Sequence, residues 1–248
     1  MTNPKYKIYG LLGKNISYSF SKTFFAQKFK DLNIKNCSYI NLDMQDLSQF
    51  RKTLKSQNIE GLNVTIPYKK AVIPFLDDIS EEAQKIGAVN TIKIKNNSLI
   101  GYNTDVFGFE KSLLSVCKNK GGLALILGTG GASLAVNHVL LKRGFKVIKV
   151  SRNPKSESQM AYHNLTEEMM QKVVLIVNCT PLGTHPNVNT CPDIPYQYLH
   201  KNQVLFDLVY NPSQTLFLKK GLAKKALIKN GYDMLVYQAE KSWEIWNS

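Results

Sequence analysis

One stretch limits the possible folds more than any other. Residues 123–127 form an unbroken apolar run, Leu-Ala-Leu-Ile-Leu, as in a strand buried on both faces. Gly128-Thr129-Gly130-Gly131-Ala132-Ser133 follows at once. A helical pattern then spans 134–143, Gly144 closes it, and 145–150 reads as the next strand. Strand, glycine-rich turn, helix and second strand in this order predict a parallel sheet that holds a dinucleotide, with its pyrophosphate on the free N–H groups of the helix. Ser133 stands where Gly or Ala is usual and is small enough for close helix packing. A free ribose 2′-hydroxyl is usually held by an acid about 20 residues further on. No acid occurs here between Glu110 and Glu157. The second strand ends instead in Ser151-Arg152-Asn153-Pro154-Lys155, where Arg152 can face a 2′-phosphate and the adenine ring. NADP(H) is therefore expected over NAD(H), with Gly128, Thr129, Gly130, Gly131, Ala132, Ser133 and Arg152 in the binding region.

The second half continues the strand and helix alternation. Residues 173–177 form an apolar strand leading to Asn178-Cys179-Thr180-Pro181-Leu182-Gly183. With no base beside it in sequence, Cys179 reads as a small buried residue rather than a nucleophile. Residues 203–209 are the last strand expected, ending in Tyr210-Asn211-Pro212, and 215–230 read as a helix with Gly221 in its middle. A final helix opens near Gly231 and runs to Trp246, with Leu235, Gln238 and Ala239 on one face. Gln238 reads equally as a satisfied core amide or a ligand contact.

The first half also alternates. Strands are expected at 7–12, 38–42 and 61–66, and helices from Ser21, across 47–56 and across 72–86 around Pro74. Ser21 is the expected N-cap of the first helix, with Ser19 beside it at the positive helix end, where a carboxylate is favoured. Asn63-Val64-Thr65-Ile66 has strand alternation, and Pro67 stops the strand. Lys69 then falls just past a strand end. Residues 87–94 return to strand, Asn96-Asn97 turns the chain, and Gly101-Tyr102-Asn103-Thr104-Asp105 leads into a helix over 107–116. A lone Lys69 is usually a solvated side chain, and a lone Asp105 an ordinary first-turn acid. The fold class expected is α/β with mostly parallel sheet.

At 248 residues the chain can hold one large domain or two modest ones. No apolar run reaches the about 18 residues that span a bilayer. Met1 to Ile8 lacks the apolar core of a secretory signal. Four scattered cysteines suit a reducing, cytoplasmic setting, and the histidines show no metal-ligand spacing. The net charge of +14 comes from lysines spread along the chain, with no basic block interleaved with aromatics. A solvated basic surface and small anionic ligands are expected, with no nucleic-acid or membrane partner.

Taken together and in order, these segments resemble the shikimate dehydrogenase family. The marks are Ser19-Phe20-Ser21, residues 63–69, Gly87-Ala88-Val89-Asn90-Thr91, Asn103-Thr104-Asp105, the Gly128 to Ser133 turn, residues 178–183, Asp207-Leu208-Val209-Tyr210-Asn211-Pro212 and residues 234–238. The resemblance implies two α/β domains hinged across a cleft. These are a substrate-binding domain (1–103), a Rossmann-type NADP-binding domain (104–230), and a C-terminal helix (231–248) returning to the first. It also implies NADPH-linked, reversible reduction of 3-dehydroshikimate to shikimate, a step of aromatic amino-acid (chorismate) biosynthesis. By the same resemblance, Ser19 and Ser21 hold the substrate carboxylate. Asn63, Thr65, Asn90, Asn103, Tyr210 and Gln238 line or bind the ring hydroxyls, and Lys69 and Asp105 form a proton-transfer pair on the substrate. Ser151, Asn153, Lys155, Cys179, Thr180, Leu208 and Gly231 join the glycine turn and Arg152 around NADP(H).

Departures from the family pattern are Tyr18 where His is frequent, Lys22 where Pro is frequent, and Asp233 where a small residue is common. Ser156 stands where a second basic residue is usual, with Lys155 one place early. Two alternatives stand beside this reading, a quinate-acting paralogue and a non-catalytic binder of dinucleotide or nucleic acid. A monomer and a homodimer are both compatible with the sequence.

Overall fold

The computed structural model describes residues 6–16, 19–118 and 120–248. Tyr18 and most of the segment from Met1 to Ile8 lie outside the described residues. The chain divides into two compact units, Met1–Thr104 with Ala239–Ser248, and Asp105–Gln238. In chain order the first runs β1 (Lys7–Gly13), α1 (Phe20–Asp31), β2 (Cys37–Asp43), α2 (Phe50–Ser56), β3 (Ile59–Val64), α3 (Tyr68–Ala71), β4 (Asp78–Ile79), α4 (Glu81–Ile86), β5 (Thr91–Lys95) and β6 (Ser98–Tyr102). The second runs α5 (Asp105–Leu114), β7 (Gly122–Leu127), α6 (Gly131–Lys142), β8 (Phe145–Ser151), β9 (Gln159–Ala161), α7 (Glu167–Lys172), β10 (Val173–Asn178), β11 (Val204–Asp207), α8 (Leu216–Ala223) and β12 (Leu227–Lys229). The last helix, α9 (Tyr232–Asn247), is shared between them.

The second sheet, ordered β12-β11-β10-β7-β8-β9, is parallel throughout. Its strands β7, β10 and β11 are buried apolar runs, as the sequence predicts. The first sheet, ordered β2-β1-β3-β5-β6-β4, is mixed. Strand β1 is parallel to β2 and β3, whereas β3, β5 and β6 pair antiparallel. The reversal between β5 and β6 is made by Asn96 and Asn97, both at positive φ (51° and 65°), the conformation of a tight hairpin turn.

Two helices expected from the sequence are divided in the structure. Across 72–86 the chain makes a 3-10 turn at Ile73–Phe75 and the short β4, and restarts as α4. Pro74 sits in the first turn of the 3-10 segment, and Ser80 caps α4 by accepting from Ala83 N at 3.3 Å. Across 215–230, α8 stops at Ala223, Lys225 takes a positive φ of 61°, and β12 joins the sheet edge beside β11.

The first unit packs a second layer of aromatic side chains against β1–β3. Tyr9 stacks on Trp246 at 4.8 Å between ring centroids, and Phe25 stacks on Tyr39 at 4.6 Å. The indole of Trp246 lies against the bare Cα of Gly61, where an added Cβ would meet its Cδ1 and Nε1 at 2.5 Å. Its Nε1 donates to Ile92 O at 3.0 Å. The end of α9 is thus fixed on β3 and β5, close in sequence to Asn63. Substituting Gly61→Ala is expected to displace Trp246 and destabilise the chain by about 1–3 kcal/mol. Urea denaturation followed by tryptophan fluorescence checks this, and an unchanged midpoint contradicts the packing argument.

Candidate functional site

In the first unit the expected site residues gather at or past the carboxyl ends of β1, β3 and β6 and, for Asn90, just before the antiparallel β5. Gly13 ends β1 without a side chain, and a Cβ there would meet Ile16 Cγ2 at 2.6 Å and Thr65 Cγ2 at 2.7 Å. The following loop is tied down by Asp43, whose two carboxylate oxygens accept from Asn15 N (2.9 Å) and Ile16 N (3.0 Å). Beyond it, Ser19 and not Ser21 caps α1, accepting from Lys22 N at 3.4 Å. Ser21 lies buried in the first turn, bonded to the Tyr39 hydroxyl. The expected cap fell two residues late, because the two serines give the same sequence signal. Past Val64, Thr65 is half-buried and its N–H still bonds Leu12 O at 2.9 Å. Lys69, also half-buried, stands in α3, where its carbonyl accepts from Val89 N at 2.7 Å.

A buried network joins the rest. Asn63, 4% exposed, accepts from Tyr39 Oη at 2.8 Å, and its amide donates to Ser242 Oγ (2.8 Å) and Thr91 Oγ1 (3.3 Å). Thr91 Oγ1 lies 2.8 Å from Ser242 Oγ and 3.1 Å from Thr104 Oγ1. Asn90 donates to Thr104 Oγ1 at 3.0 Å and accepts from Thr104 N at 2.7 Å. One chain of hydrogen bonds therefore runs from Ser21 through Tyr39, Asn63, Ser242 with Thr91, and Thr104 to Asn90. Both amide hydrogens of Asn63 are engaged inside the protein, so what it can still offer is acceptor capacity on Oδ1. Asn103 donates to Ala88 O at 2.9 Å, while its buried Oδ1 meets no partner among the described residues. A buried acceptor without a partner is costly and points to a ligand or water donor. Tyr39, Thr91, Thr104 and Ser242 were not singled out from the sequence. Ser242 was within reach, since it continues the face of Leu235, Gln238 and Ala239 by one helical turn.

In the second unit the glycine turn stands between β7 and the start of α6. Gly128 takes φ +97°, and a Cβ there would meet Thr180 Cγ2 at 2.9 Å. Gly130 is the N-cap of α6, and a Cβ there would meet nothing within 4 Å. Thr129 and Gly130 are exposed, with Gly131 and Ala132 half-buried behind them. Ser133 turns inward, its Oγ donating to Gly130 O at 2.6 Å. The helix start is therefore bare and accessible, as close approach of a phosphate requires. At the end of β8, Ser151 Oγ accepts from Asn153 N at 3.3 Å, and Arg152 and Lys155 project into solvent. Lys155 N is held by Gln159 Oε1 at 3.1 Å.

The loops after β10 and β11 complete this side. Cys179 N donates to Leu127 O at 2.9 Å, and burial together with the Asp207 and Asp105 carboxylates pushes its thiol up. The thiol is accordingly protonated at neutral pH. Gly231 passes so close to Leu208 that a Cβ would fall 2.1 Å from Leu208 O, and its N–H donates to Val209 O at 3.2 Å. Tyr210 is half-buried. Asp105 is buried as the first residue of α5, and Gln238 is buried with Nε2 donating to Leu235 O at 2.9 Å. Asp233 forms an ion pair with Lys229 at the end of β12, which accounts for an acid at that position. Among the described residues no group of three or more His, Cys, Asp or Glu side chains could hold a metal ion.

Comparison with known proteins bears on this geometry. A family model described as the shikimate dehydrogenase substrate binding domain matches residues 11–92. The NADP(+) shikimate dehydrogenase of Methanococcus maripaludis strain C7 is 37% identical, over 99% of this chain and 93% of its own length. That of Clostridium botulinum strain Hall is 39% identical, over 96% and 95%. The chain belongs to the shikimate dehydrogenase family. Among solved structures, a shikimate dehydrogenase in complex with NADP+ superposes with a TM-score of 0.88 at 34% identity, covering 99% of this chain and 91% of that one. The shikimate dehydrogenase of Thermus thermophilus, in complex with NADP(H) and shikimate, gives 0.84 at 31%, covering 96% and 92%. The quinate dehydrogenase of Corynebacterium glutamicum, in complex with NAD, gives 0.87 at 25%, covering 98% and 94%.

Family membership leaves one buried carboxylate unexplained. Asp207 is fully buried, and burial pushes its pKa up from 3.8 to about 6, against hydrogen bonds from Thr215, Val209 and Asn178 that favour the charge. The titratable groups that feel it, Cys179 and Tyr196, are both raised and stay neutral in that range. The folded state thus holds this proton more tightly than the unfolded chain. Its contribution to stability is complete below pH 3.8 and is lost as pH rises through about 6, by about 3 kcal/mol. Urea unfolding of wild type and Asp207→Asn across this range is expected to show the variant gaining on wild type as pH rises. A constant difference contradicts the raised pKa.

Proposed function

We propose that this chain is an NADP-dependent shikimate dehydrogenase that reduces 3-dehydroshikimate reversibly to shikimate. The observation that carries the reading is similarity over nearly the whole chain to enzymes named for that reaction. The glycine turn suits the cofactor, since its helix start is bare at Gly130 and cations stand at Arg152 and Lys155. NADPH, when bound, supplies the hydride. The pyrophosphate is assigned to the N–H groups from Thr129 to Ala132, with Ser133 beside them, and the 2′-phosphate to Arg152 with Lys155. Ser151, Asn153, Cys179, Thr180, Leu208 and Gly231 are assigned to its surroundings.

Ser19 and Ser21 hold the substrate carboxylate at the positive end of α1. Thr65, Asn90, Asn103, Tyr210 and Gln238 receive the ring hydroxyls, and Asn63 presents its Oδ1 while fixing Tyr39 and so Ser21. Lys69 gives a proton to the new alkoxide and stabilises its charge, and Asp105 orients the reacting hydroxyl. Most substrate-side residues fall in 1–103 and 231–248, with Asp105 and Tyr210 in 104–230, where most cofactor-side residues also lie. The setting proposed is cytoplasmic, with small molecules as partners rather than nucleic acid or membrane, and the protein a monomer or homodimer. No helix of the described residues is long and apolar enough to cross a membrane.

The proton-transfer assignment has a kinetic test. Lys69→Ala is expected to lower kcat by about 100-fold or more with a much smaller change in KM, as loss of a general acid does. A kcat within a few-fold of wild type removes Lys69 from that role.

A further inference from the structure

The reading above assigns ligand-side roles to Thr180 and Tyr210, which leave the sheet from adjacent strands, and gives none to the carboxylate between them. Asp207 ends β11 in register with Asn178 at the end of β10. Its Oδ1 accepts from Asn178 Nδ2 at 2.9 Å and from Val209 N at 3.0 Å. Its Oδ2 accepts from Thr215 Oγ1 at 2.5 Å, and Thr215 caps α8 by accepting from Leu218 N at 3.3 Å. The Asn178 amide is thereby oriented with Nδ2 toward Asp207. Its Oδ1 is left to accept from Thr180 N at 3.0 Å and Thr180 Oγ1 at 2.7 Å. Thr180 in turn packs on the bare Cα of Gly128 in the glycine turn. One acceptor group thus fixes the 178–183 loop, the backbone one residue before Tyr210, and the start of α8.

We propose that Asp207 is a positioning residue for the reaction, holding the cofactor-side loop at Thr180 and the Tyr210 loop in one arrangement through Asn178, Val209 and Thr215. The proposal rests on the reading of the chain as an NADP-dependent dehydrogenase. A carboxylate suits the place because all three neighbours present donors to it. Asparagine can substitute, with Oδ1 facing Asn178 and Val209 and its NH2 facing a Thr215 hydroxyl turned to accept. Alanine cannot, and leaves buried donors without partners.

The test compares Asp207→Ala, Asp207→Asn, Asn178→Ala and the Ala/Ala double variant by titration with NADPH and, separately, with adenosine 2′,5′-bisphosphate. The bisphosphate keeps the 2′-phosphate assigned to the Arg152 loop and one phosphate of the pyrophosphate, and lacks the nicotinamide nucleotide. Asp207→Ala is expected to weaken NADPH at least tenfold and raise KM for the carbocyclic substrate, with the bisphosphate changed less than about twofold. Asp207→Asn should stay within about threefold of wild type, and the double variant should be no weaker than the weaker single variant. Equal loss of NADPH and bisphosphate, additive single effects, or unchanged NADPH affinity in Asp207→Ala overturns the proposal. If wild type binds no NADPH, the functional reading fails instead. Hydrogen exchange then decides the positioning role alone. Faster exchange confined to 178–183 and 208–211 in Asp207→Ala, restored in Asp207→Asn, supports it, and unchanged or chain-wide exchange overturns it.

Discussion

A strand that stops inside a protein leaves polar groups that must find partners away from water, and many of the candidate site residues stand near the ends of strands. The two units meet this demand in different ways. In the first, neutral amides and hydroxyls satisfy one another, from Ser21 through Asn63 and Ser242 to Asn90. In the second, a single carboxylate, Asp207, collects donors from three directions. A neutral network of this kind fixes side-chain positions without a buried charge. A buried carboxylate orients its neighbours more firmly and carries a desolvation cost, visible in its raised pKa.

The distribution of charge follows the same division. The +14 net charge belongs to lysines scattered over the surface, and the cations that matter to the cofactor reading, Arg152 and Lys155, are exposed at a strand end where a phosphate can reach them. Glycines serve in opposite ways. Gly61 and Gly231 make room for protein, an indole and a carbonyl oxygen, whereas Gly130 leaves its surroundings clear for a ligand.

Much of this was legible in the sequence because local chemistry decides it. The β7, glycine turn, α6 and β8 unit and the Asn96-Asn97 turn each carry their own signal, and the strand expected at 61–66 appears as β3, though it ends at Val64. Arg152 and the glycines could be named for the same reason, whereas the roles expected of Lys69 and Asp105 came from the family resemblance. What escaped depends on distant partners. The choice of Ser19 over Ser21 as cap is decided by Tyr39, which gives Ser21 another partner. The end of α8 is decided by β12 finding the edge of β11. Tyr39, Ser242 and Asp207 look like ordinary core or strand residues until the chain folds and sets Asn63 and Asn178 beside them.

The most direct measurement follows nicotinamide absorbance when shikimate is added to the purified protein with NADP+, and again with NAD+. The account expects turnover with NADP+ at an efficiency clearly above that with NAD+. It is contradicted by the absence of nicotinamide-linked turnover, or by NAD+ serving as well as NADP+.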